Sequence, residues 1–106
     1  MAKKSDKIQR LKTMLAAQPH DIAVLMSLVE AYLSSGDSKN ALKQVNVFLK
    51  TSSDENVQIH FLWGRIYEVS KQAELANRYY KQVFDWYEQQ ESALRLFEGL
   101  KDKANN

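Results

Sequence analysis

Two histidines, His20 and His60, are the only imidazoles in the chain, and no cysteine accompanies them. A thiolate nucleophile, a disulfide framework and sulfur-ligated zinc are therefore closed to it. The imidazoles stand 40 residues apart. His20 follows Pro19 in a turn, where a solvent-exposed ring is expected, and His60 is expected to pack between helices rather than to ligate a metal. The carboxylates pair no better. Glu68 and Glu74, or Glu88 and Glu91, fall on polar faces without a Glu-x-x-His motif or an acid/base spacing. Gly36, Gly64 and Gly99 stand alone, so no Gly-rich loop can cradle a phosphate. These residues predict no enzyme, no metal site and no cofactor.

A third chemistry is stacking on nucleic-acid bases. Eight of the eleven aromatic residues lie between Phe61 and Tyr87, interleaved with Arg78 and Lys81. Most of those rings, however, occupy helix stripes that packing needs, with Tyr79 and Trp86 expected to be partly exposed. Charge also argues against nucleic acid as the partner. The net charge is +2, but five bases (Lys3, Lys4, Lys7, Arg10 and Lys12) crowd the start against Asp6, and the remainder is slightly acidic. A basic first helix of this kind is read as a solvated face.

The elements that position these groups are helices. Hydrophobic residues make up 44% and charged residues 26%, with three Gly and one Pro, which is too little punctuation for a sandwich or barrel. At 106 residues one domain is expected. Ile8, Leu11 and Leu15 mark a first helix over about 5–17, closed by Pro19. Asp21 can cap a second, carrying Leu25, Leu28, Val29 and Tyr32 up to Gly36. Ser38 can cap a third, with Leu42, Val45, Phe48 and Leu49, before a polar turn at 51–55. A fourth is expected over 56–70, a fifth over 73–88, and a sixth over 91–102 with Leu94, Phe97 and Leu100 turned inward. Short loops between six helices imply antiparallel neighbours.

The helices repeat. Leu28, Tyr32, Ala41, Val45 and Phe48 lie 35 residues before Trp63, Tyr67, Ala76, Tyr80 and Val83. Leu11 and Met14 lie 34 before Val45 and Phe48, and Leu94 and Phe97 lie 34 after His60 and Trp63. In period and in these residues, together with Gly36-Asp37 and Trp63-Gly64, the chain resembles the tetratricopeptide repeat family over nearly its whole length. Val29 stands at that motif's Gly place, Ser53 and Glu88 where Pro belongs, and Lys71-Gln72 in place of Gly-Asp. The resemblance implies an all-α right-handed superhelix of antiparallel helix–turn–helix repeats. Its divisions would be a half-repeat at 5–20, repeats at 21–54 and 56–89, and a capping helix at 91–102.

The resemblance also implies a function. First-type helices of this family line a groove for a peptide or helix, and here their free faces would present Met26, Glu30 and Leu33, then Phe61, Arg65 and Glu68, then Arg95. Met26, Leu33 and Phe61 would be apolar anchors, and Arg65 with Arg95 could hold a carboxylate. The expected role is a protein–protein interaction module of adaptor, co-chaperone or secretion-chaperone type. The alternative is a self-association module, or a piece of a longer array, stacking as a homodimer through the first helix at Ile8, Leu11 and Leu15. No stretch approaches the ~18 apolar residues of a membrane span, and a cytoplasmic protein is expected.

Overall fold

A computed structural model describes residues 4–52 and 56–105, and these residues form five α-helices and no strand. They are α1 (Lys4–Ala17), α2 (Ile22–Ser34), α3 (Ser38–Ser52), α4 (Val57–Val69) and α5 (Ala73–Asn105). Each boundary has a local cause. Pro19 offers no N–H, and the chain turns there with the Asp21 N–H donating to the Gln18 carbonyl at 3.1 Å. The Asp21 carboxylate then accepts from the N–H groups of Ala23 and Val24, at 3.0 and 3.2 Å, satisfying two orphan donors at the start of α2. α3 continues through Ser52, so Thr51 and Ser52 of the expected turn at 51–55 are helical, and residues 53–55 lie outside those described.

The local geometry recurs at 35 residues. The side-chain oxygen of Asn56 caps α4 through the N–H groups of Gln58 and Ile59, each 35 places after the pair that Asp21 holds. Gly36 ends α2 at φ +75, and Lys71 ends α4 at φ +64. Around them the N–H of Asp37 donates to the Tyr32 carbonyl at 2.9 Å, and that of Gln72 to the Tyr67 carbonyl at 2.8 Å. The expected Gly-Asp turn is therefore built a second time from Lys71-Gln72, with a lysine in the left-handed region where glycine rests without strain. Asp37 rather than Ser38 caps α3: its carboxylate accepts the Asn40 N–H at 3.1 Å, and its carbonyl takes the Ala41 N–H.

α2 lies at the centre, against α1, α3 and α4, and the core gathers around it. Leu25, Leu28, Val29, Val45, Ile59 and Leu62 are fully buried there. Packing between each helix pair depends on a volume exchange. In the first pair, Val29 on α2 and Val45 on α3 are both buried completely. Thirty-five residues on, the same places hold Gly64 and Tyr80, and a Cβ on Gly64 would come within 2.4 Å of the Tyr80 ring. Small faces large in the second pair, at places where the first pair holds two valines.

The last helix departs from expectation. A break near 89–90 and a separate sixth helix do not occur, since α5 runs unbroken from Ala73 to Asn105. Glu88-Gln89-Gln90-Glu91 are good helix formers with no Gly or Pro among them, so nothing local stops propagation. Leu94, Phe97 and Leu100 do not turn inward: they are 56%, 63% and 57% exposed. From Trp86 to Leu100 every residue is exposed. This half of α5 overhangs the helix it packs on, and the molecule measures 61 × 33 × 30 Å.

Candidate functional site

α4 and α5 set the site. Tyr79 and Tyr80, adjacent on α5, straddle α4. Tyr79 stacks on Tyr67 with ring centres 5.6 Å apart, and it also meets Trp63 at 5.1 Å and His60 at 6.2 Å. Tyr79, expected to be partly exposed, is thus the half-buried hub of an aromatic cluster. His60 packs in that cluster, stacked on Trp63 at 5.6 Å. Tyr80 lies on the other side, over Gly64 and 6.1 Å from Phe61. Burial pushes the phenol pKa of Tyr80 up, helped by the nearby Glu68 carboxylate.

Beyond Tyr80 the two helices leave a groove of about 540 Å³. Met26 from α2 and Phe61 from α4 form one wall, and Val83, Phe84 and Tyr87 from α5 form the other. Phe84 is 68% and Tyr87 60% exposed, so the groove offers two large exposed rings to whatever enters it. A more polar depression of about 770 Å³ adjoins it, lined by Asn56, His60, Gln82 and Asp85 and sharing Val57, Gln58 and Tyr87 with the groove.

The charged residues expected beside Met26 and Phe61 form an ion triad. Arg65 donates through Nε and Nη2 to both carboxylate oxygens of Glu30, at 2.9 and 3.0 Å, and through Nη1 to Glu68 at 2.8 Å. The Arg65 hydrogen bonds hold the Glu30 carboxyl below its ordinary value, outweighing the desolvation that would raise it. Glu30 in turn raises the pKa of Arg65.

Two expected site residues fall elsewhere. Leu33 is 6% exposed and belongs to the core, because α2 is covered by three neighbouring helices and has only a narrow free face. Arg95 lies on the overhang of α5, bonded to Glu91 at 2.8 Å, so it does not join Arg65 in gripping a carboxylate. Both guanidinium groups are already paired. Ile8, Leu11 and Leu15 are half-buried against the core, and the outward apolar residue of α1 is Met14, 51% exposed.

No protein-family model, curated protein or solved structure matches the chain. Its chemistry rests on its own side chains. Among the described residues no group of three His, Asp or Glu side chains converges as metal ligands, and no helix is long and apolar enough to cross a membrane. His20 sits at the surface, with its Nδ1 3.2 Å from the Ser52 hydroxyl. The groove wall on α5 is what periodicity missed. Val83, Phe84 and Tyr87 lie on the apolar stripe of a fifth helix, and because no described helix covers that stripe Val83 is only half-buried and the two rings are exposed.

Proposed function

We propose that the protein is a non-catalytic interaction module that holds an apolar or amphipathic helix of a partner in the groove between α2, α4 and α5. One observation carries this reading: Met26, Phe61, Phe84 and Tyr87 converge on a single concave strip, which adjoins a fully packed core and is itself uncovered. Rings and a flexible thioether accommodate a helix face without demanding one sequence. The Arg65 triad, net negative with one cation between two carboxylates, favours such a ligand over a chain-terminal carboxylate, since a guanidinium bonded to two carboxylates has little left to offer a third. The resemblance to tetratricopeptide repeats, whose first-type helices line a ligand groove, supports the same role.

Affinity capture from lysate, followed by mass spectrometry, tests this with the Phe61→Glu variant. Phe61 is 38% exposed, so the variant should keep its helical circular dichroism while losing the captured protein. Capture unchanged by a charge at that position would overturn the groove as the binding site.

A further inference from the structure

The overhanging half of α5 is an amphipathic helix without a companion. From Glu91 onward, at 100° per residue, Ala93, Leu94, Leu96, Phe97 and Leu100 occupy one side, while Glu91, Ser92, Arg95 and Glu98 occupy the other. The polar side is already organised by the Arg95–Glu91 bridge. The apolar side is bare, with its three leucines and Phe97 exposed by 56% to 67%. No described residue covers it, because α5 is continuous and carries it away from α4.

The groove has the opposite need. Leu94 and Phe97 stand 34 residues after His60 and Trp63, places that α4 fills with rings packed on Tyr79 of α5. The chain does not turn at 89–90, so its own overhang does not lie along the groove, and the two apolar surfaces remain available to a second copy. We propose that the groove receives the overhang of a second copy, with Leu94, Phe97 and Leu100 seated against Met26, Phe61, Phe84 and Tyr87, and that the exchange is reciprocal.

This names the ligand of the groove and rests on the interaction reading above. The area suits it. Three aromatic side chains and three leucines, each more than half exposed, supply roughly 700 Å² of apolar surface per chain, close to the ~800 Å² that each partner gives to a standard interface. A monomer rarely leaves so much apolar surface open. Reciprocal exchange of one element is a closed two-fold arrangement, so assembly stops at two copies.

Sedimentation equilibrium of the full chain over a hundredfold concentration range tests the proposal. The wild type is expected to be a dimer. Phe97→Asp damages the overhang alone and Phe61→Glu the groove alone, and each should weaken dimerisation about tenfold or more with helical circular dichroism retained. An equimolar mixture of the two variants should recover a heterodimer, because one intact overhang then meets one intact groove. A wild type that stays monomeric while capture of another protein still depends on Phe61 would overturn the exchange and leave the groove reading standing. A dimer lost with Phe97→Asp but untouched by Phe61→Glu would also overturn it, in favour of overhangs pairing with each other.

Discussion

Arg65 clasps both carboxylate oxygens of Glu30, at 2.9 and 3.0 Å, and the two residues stand 35 apart at the same place on α2 and α4. A repeat that places like positions side by side brings whatever they hold into contact. Here opposite charges meet across two helices that lie on either side of α3 in the chain. The pair ties α4 to α2 on the face that carries the groove.

That pair gives stability an acid limb. The Glu30 carboxyl is held below its ordinary value of 4.5, so its contribution is complete above that pH and is lost as pH falls through the lowered value in the folded protein. Glu30→Gln should cost about 0.5–1 kcal/mol at pH 7, the pair being partly exposed, and nothing once the carboxylate is protonated. Urea unfolding measured in steps from pH 7 downward reads both. A difference that did not shrink as the pH fell would show that the ion pair is not its source.

Gly64 and Tyr80 are predicted to be coupled. Gly64→Ala places a methyl 2.4–2.5 Å from ring carbons of Tyr80 and should destabilise by about 1–3 kcal/mol. Combining it with Tyr80→Val, which approximates the Val29 and Val45 solution of the first pair, should recover part of the loss. A double-mutant cycle in chemical denaturant reads the coupling directly, and strict additivity would deny the contact its role.

The two turns should respond in opposite directions. Lys71, at φ +64, is exposed and left-handed without being glycine, so Lys71→Gly should stabilise by up to about 1 kcal/mol. Gly36→Ala at φ +75 should destabilise by a similar amount, although a Cβ there meets nothing within 4 Å. Thermal melts of the two variants should therefore move apart from the wild type, one up and one down.

Leu33 separates core from groove. Its burial predicts that Leu33→Ala costs about 2–4 kcal/mol in unfolding, the penalty of a core cavity. At concentrations where the variant remains folded, ligand capture should match that of the wild type. A variant of normal stability and reduced capture would return Leu33 to the groove.

Much of this architecture was legible in the residues alone. Asp21 caps α2, Pro19 closes the turn before it and Gly36 ends it, because each acts on backbone groups within a few positions of itself. The 35-residue period and the apolar stripes of α2 to α4 were equally visible, since helix geometry alone maps spacing onto a face. The all-helical class follows from them. Turn chemistry was less transparent: Lys71 adopts a glycine conformation that its side chain does not advertise.

Tertiary structure decided the rest. Whether Glu88–Glu91 bends depends on whether docking a sixth helix outweighs uninterrupted backbone hydrogen bonding, and in this chain the continuous helix prevails. That choice turns Phe84, Tyr87, Leu94 and Phe97 from core into surface. Leu33 is buried because three helices surround α2, and Arg65 is spent because Glu30 happens to lie opposite it. Local sequence governs where a helix can begin and end. What each face touches is set by residues far along the chain, through contacts that exist only once the helices are assembled.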